Sequence, residues 1–121
     1  MEDALHPVEA ISETEATLTP QADHSILVSG NNPATHEYVV TARTTLKHIT
    51  GFKLEALPDD SFVNGGPGRA NNGNFVLSEV TVLGDGKPLE LYPVSADFEQ
   101  DGWPLRSIVD GNRDTGWAVM P

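Results

Sequence analysis

A chain of 121 residues is long enough for one domain with a single core and no covalent staples. Its 18 Asp and Glu against 7 Lys and Arg leave a formal charge of -11, which repels phosphate backbones and argues against nucleic acid as a partner. There is no cysteine, hence no disulfide framework, thiolate nucleophile or cysteine-based zinc site, and no apolar run approaches the length of a membrane span.

Helical periodicity is scarce. Short runs rich in Val, Ile, Thr and Phe alternate with Gly, Pro, Asn and Asp, a pattern that predicts an all-β fold of antiparallel strands closed as a sandwich or barrel. The first expected strands are Val8 to Ser12, Ala16 to Thr19 and Ile26 to Ser29, the last two joined as a hairpin across Gln21-Ala22-Asp23-His24. Gly30-Asn31-Asn32-Pro33 is a loop. Glu37 to Thr44 follows, with Tyr38, Val40 and Ala42 on one face. In Ile49 to Leu57, Phe52, Leu54 and Ala56 alternate with Lys53 and Glu55, as in a strand with one wet face. Pro58 to Asn72 is a long glycine-rich loop, and Phe75 to Leu83 is the most hydrophobic strand. Asp85-Gly86 is the strongest tight-turn signal and predicts a hairpin to Leu89-Glu90-Leu91. A short strand at Ala96 to Phe98, a helical turn at Pro104 to Val109 and a strand opening at Trp117 to Met120 complete the reading.

Catalytic chemistry finds little support. No Gly-x-Ser-x-Gly elbow is present, and His6, His24, His36 and His48 are scattered without metal-ligand spacing. The glycine-rich loop Asn64 to Gly73 lacks the Gly-Lys-Ser/Thr of a phosphate loop and precedes a strand, so no helix N-terminus awaits an anion. Its glycines read as backbone freedom at a loop, and Arg69 as either the cation of a loop-tying ion pair or a ligand contact. A non-catalytic domain is the expectation.

The segment Val109 to Trp117 crowds Asp110, Asn112, Asp114 and Thr115 into six residues. Such oxygens suit calcium, which takes six to eight of them; they equally suit an Asx-type turn stitched by side-chain to backbone hydrogen bonds, with Trp117 plugging the core.

The run Asp110-Gly111-Asn112-Arg113-Asp114-Thr115-Gly116-Trp117 resembles the Asp-Gly-x-x-x-Thr-x-Trp signature of discoidin-type (coagulation factor type C) and related galactose-binding-like domains. Four further stretches join it: Tyr38 to Thr44, Leu54 to Asp59, Gly66 to Ala70 and Gly73 to Glu79. Together they are similar to a recurrent module of large exported planctomycete proteins that also carry cytochrome c-like domains. The resemblance implies an antiparallel jelly-roll β-sandwich spanning residues 1–121, in an extracytoplasmic parent protein. It implies a structural calcium on Asp110, Asn112, Asp114 and Thr115. In the family further strands follow this Trp, so the chain is expected to lack its last one or two strands and to dimerise or swap strands over the exposed edge.

The function implied is an accessory binding module, with a glycan as candidate ligand. Trp103 and Tyr92 are its candidate stacking aromatics, and Arg69, Asn71 and Asn72 its candidate polar contacts. The rival reading is a structural domain that docks against neighbouring domains and binds no small ligand.

Overall fold

The computed structural model describes residues 4–120. The fold is β-rich with almost no helix: eight short strands and two 3₁₀ turns among the described residues. Within the expected single domain, the chain forms two compact units, Met1–Lys53 and Leu54–Pro121.

The first unit holds two antiparallel ladders. β1 (His6–Ser12) pairs with β4 (Tyr38–Arg43), and β2 (Ala16–Pro20) pairs with β3 (Ile26–Gly30). The β2–β3 hairpin keeps an unbroken register, with Leu18 opposite Val28 and Pro20 opposite Ile26 at its end. Its turn is closed by Gln21 N–H on Ser25 C=O (2.8 Å) and His24 N–H on Gln21 C=O (3.0 Å), with His24 at φ 70°. Asp23 Oδ1 accepts from the Ser25 hydroxyl and from the Ser25 backbone N–H, and these bonds, the hydroxyl first, hold its carboxyl below the ordinary value. The His24 ring stacks on His6 with centroids 3.7 Å apart, a contact that links β1 to this turn and that spacing along the chain does not reveal.

In the β1–β4 ladder, Ala10 faces Val40 and Ile11 faces Val39. The register shifts between Pro7 and Glu9, so Val8 is an extra residue on β1. The turn into β2 is tied by Ser12 Oγ, which accepts from the N–H groups of Thr14 and Ala16. Thr14 Oγ1 in turn reaches His36 Nδ1 at 3.3 Å, and His36 Nε2 lies 3.0 Å from Asn32 Oδ1.

The second unit contains β5 (Val76–Leu77) paired with β8 (Trp117–Ala118), and β6 (Leu83–Gly84) paired with β7 (Lys87–Pro88). The β6–β7 turn places Asp85 and Gly86 at φ 50° and 81°, the double positive φ that suits a right-twisted hairpin. The helical turn expected at Pro104 to Val109 is the 3₁₀ turn Leu105–Val109, and Glu99 Oε2 accepts its Leu105 N–H.

Four expected strands are corrected. Ile49 to Leu57 forms no strand: its alternation is real, but among the described residues no other strand offers it a ladder. Phe75 to Leu83 is not a continuous strand, because only Val76–Leu77 and Leu83–Gly84 pair in ladders; Val80 and Val82 make single backbone bonds, to Ile108 C=O and from Leu89 N–H. Leu89 to Leu91 and Ala96 to Phe98 carry no strand either.

The buried centre of the second unit is Trp117, Ala118 and Ile108, with Phe75 edge-on to the Trp117 ring at 5.1 Å. Trp117 Nε1 donates to Phe98 C=O at 2.9 Å, so the indole is both packed and satisfied. Asn74, also buried, stitches the strand end beyond it. Its Nδ2 donates to Gln100 Oε1 (3.0 Å) and its Oδ1 accepts Val119 N–H (3.3 Å), while Gln100 Oε1 also accepts Met120 N–H (2.9 Å). Asn74→Ala is expected to lower stability by about 1–3 kcal/mol, because it leaves the half-buried Val119 N–H without its acceptor and removes one of the two donors to Gln100 Oε1. Urea unfolding of the variant beside wild type measures this.

Candidate functional site

The long loop before β5 is folded on itself by its own backbone. Asp59 N–H meets Gly66 C=O, Gly68 N–H meets Gly73 C=O, and Ala70 N–H meets Asn74 C=O, at 3.2, 3.0 and 3.2 Å. A 3₁₀ turn, Val63–Gly65, sits inside it. The glycines there serve close approach more than freedom: a Cβ on Gly68 would lie 2.0 Å from the Asn74 carbonyl oxygen. The loop and the β8 end surround a recess of about 320 Å³ lined by Asn64, Pro67, Asn72, Asn74, Val119 and Met120.

A second recess, of about 410 Å³, lies in the same unit, bounded by the residues before β6, those after β7 and the Val109–Gly111 stretch. Val80, Leu89, Leu91 and Val109 give it apolar walls. Glu79, Thr81, Glu90 and Tyr92 supply its polar and aromatic groups. Tyr92 is 84% exposed, the most exposed of the large hydrophobic side chains described.

The five expected ligand contacts therefore do not form one constellation. Asn72 belongs to the first recess and Tyr92 to the second, and the two share no lining residue. Arg69, Asn71 and Trp103 line neither. Trp103 is half-buried, and its N–H closes a tight turn on Gln100 C=O (2.8 Å) in which Gly102 takes φ 83°. Asn72 spends its Oδ1 on Asn74 N–H at 3.1 Å. Glu79, Thr81 and Glu90 were not singled out from the sequence; Glu79 and Thr81 stand two apart in a β-rich run, a spacing that puts both on one face and could have found them.

The Asp110 to Thr115 segment is a corner held together by its own polar groups. Asp110 Oδ1 accepts Asn112 N–H (2.8 Å), and Asp110 Oδ2 accepts the Thr115 hydroxyl (2.6 Å). Asn112 Oδ1 accepts Asp114 N–H at 2.9 Å. Glu79 Oε1 reaches in from 32 residues away and accepts Gly111 N–H at 2.8 Å. Of the oxygens implied as calcium ligands, those of Asp110 and Asn112 thus accept from N–H and O–H donors inside the turn, and the Thr115 hydroxyl donates within it. Among the described residues no three His, Asp or Glu side chains converge as a metal site. The arrangement does not fit a calcium cradle, which needs six to eight oxygens converging on one point. The next residues of the motif are also structural: a Cβ on Gly116 would meet Val76 Cγ1 at 2.5 Å across the β5–β8 pair, and Trp117 enters the core.

The Thr115 hydroxyl, with Asn112 N–H next, holds the Asp110 carboxyl below its ordinary value of 3.8. A depressed carboxylate contributes its support to the corner fully above that ordinary value and loses it as pH falls below 3.8 through the folded value. In an NMR pH titration Asp110 is expected to show a midpoint below 3.8, rising toward 3.8 in Thr115→Val, where the first of these donors is gone. Millimolar calcium or EDTA is expected to leave the thermal midpoint unchanged; a calcium-dependent rise would place metal in the corner.

Comparison with known proteins returns no matching family model, no matching curated protein and no matching solved structure.

Proposed function

We propose that this chain is a non-catalytic accessory binding module, built on an antiparallel jelly-roll sandwich, that holds a glycan at the recess beside Tyr92. The observation that carries the reading is Tyr92 itself: a ring left 84% in solvent next to a concavity of about 410 Å³. Leaving so large an apolar surface uncovered forgoes the burial that would stabilise the fold, and a sugar's apolar ring face is a partner that restores it. The Glu79 and Glu90 carboxylates and the Thr81 hydroxyl supply hydrogen-bond partners for sugar hydroxyls around the same recess. The resemblance to galactose-binding-like modules of exported multidomain proteins points the same way, and gives the parent protein an extracytoplasmic setting.

The test is a glycan panel followed by calorimetry on any hit. Tyr92→Ala is expected to weaken binding about tenfold, or ~1.4 kcal/mol, with the fold intact because the side chain it removes is exposed. A hit that binds the variant equally well would move the site away from Tyr92.

A docking domain is the second reading, and a separate observation favours it. In the β1–β4 ladder Val8, Ile11, Val39 and Val40 are all exposed, apolar side chains shared between its two faces of the kind that partners cover. A blank glycan panel together with binding to an adjoining domain of the parent protein would decide for it.

A further inference from the structure

We infer that β4 is a self-association edge on which a second copy of this chain pairs antiparallel, joining two β1–β4 ladders into one four-stranded sheet. The inference is independent of the glycan site, which lies in the other unit.

β4 has β1 along one edge and, among the described residues, no strand along the other. An antiparallel ladder uses only half of each strand's N–H and C=O groups, so the outer edge of β4 presents the rest as a template. A two-stranded ladder is marginal in water, and three or more strands with a shared apolar face are what make a sheet stable. Val39 and Val40 are 44% and 52% exposed, although their cross-strand partners Ile11 and Ala10 lie directly opposite. The ladder therefore carries apolar side chains on both faces without covering either.

Charge selects the occupant. Two chains of charge -11 repel at most orientations of approach. The stretch from Tyr38 to Lys53 contains no Asp or Glu and carries Arg43, Lys47 and Lys53, so all 18 acidic residues lie outside it. β4 thus opens a stretch of sixteen residues along which two copies meet without opposing carboxylates. An antiparallel pairing about a two-fold axis at Thr41 sets Thr41 against its own copy and Val40 of one copy against Ala42 of the other, since directly opposite residues share a face. β-branched and small residues fill the centre, and no charge is opposed there. The sheet's edge devices are absent from this centre: Val39 to Ala42 contains no Pro and no Lys, and the β-bulge of the ladder lies on β1.

The chain has no cysteine, so a single introduced thiol reports proximity cleanly. Thr41→Cys is expected to form a disulfide-linked dimer under mild oxidant at least about tenfold faster than Asp97→Cys, an exposed control, because association raises the effective thiol concentration at the axis. Wild type is expected to sediment as a dimer at high concentration, more so as salt is raised, since salt screens the repulsion between two acidic chains. Val40→Lys is expected to return the chain to monomer. Equal cross-linking at the two cysteines, a wild-type monomer at all concentrations, or association that weakens with salt would each overturn the inference. Should Val40→Lys lose its native circular dichroism, the cross-linking comparison and the wild-type sedimentation still decide.

Discussion

Replacing Trp117 by alanine is expected to unfold the Leu54–Pro121 unit at physiological temperature. The indole is 6% exposed, meets Phe75 edge-on at 5.1 Å and donates to Phe98 C=O at 2.9 Å. The only other buried hydrophobic residues described are Ile108 and Ala118, so little else can absorb the cavity. Truncating a buried Trp costs about 3–5 kcal/mol, a large share of the roughly 5–15 kcal/mol that holds a small domain together. Trp117→Phe separates packing from hydrogen bonding. It keeps a ring against Phe75 but leaves the Phe98 carbonyl without its donor, for an expected loss of about 1–3 kcal/mol. Urea unfolding followed by circular dichroism ranks the three proteins, and Trp103 remains as a fluorescence probe in both variants.

Gly68→Ala is expected to be as damaging, through a different cause. The added methyl would sit 2.0 Å from the Asn74 carbonyl oxygen, 2.4 Å from its carbonyl carbon and 2.7 Å from Phe75 N. All three are backbone atoms, so no side-chain rotation relieves the overlap. Relief requires the loop and the approach to β5 to separate. That would break Ala70 N–H on Asn74 C=O and displace the Asn74 side chain from Gln100 and Val119. Overpacking of this kind costs about 1–3 kcal/mol where neighbours can give, and more where they are backbone. Gly65→Ala is the control in the same loop: φ is 62° but nothing lies within 4 Å of the new Cβ, so only backbone strain of about 1–2 kcal/mol is expected. Thermal melts of the two variants should therefore differ clearly, with Gly68→Ala the lower.

What the sequence made legible was local. The β2–β3 hairpin, the Asp85-Gly86 turn and the 3₁₀ turn at Leu105–Val109 are each specified by residues within a few positions of one another. Ile49 to Leu57 shows the limit. Alternation tells which side chains could share a face, but a strand exists only when another strand accepts its hydrogen bonds, and Phe52, Leu54 and Leu57 stay exposed. The glycine-rich loop failed for a related reason. Gly68 looks like a residue chosen for backbone freedom until the carbonyl of Asn74 is seen against it. The Asp110 corner was half legible: its internal hydrogen bonds follow from Asp, Asn and Thr at short spacing, whereas the Glu79 acceptor for Gly111 comes from another element. The candidate site was legible only at Tyr92. An exposed aromatic can be suspected from its turn context, but the recess beside it is made by Glu79 to Thr81, Leu89 to Leu91 and Val109 meeting in space.

The most direct test of the binding account is a two-dimensional NMR titration of the labelled chain with a panel of oligosaccharides. The account predicts that one class of glycan shifts the amides of Glu79 to Thr81 and Leu89 to Tyr92 together, with about tenfold more glycan needed for the same shifts in Tyr92→Ala. A panel that moves no amide, or that moves only residues around Asn64 and Asn72, would contradict it.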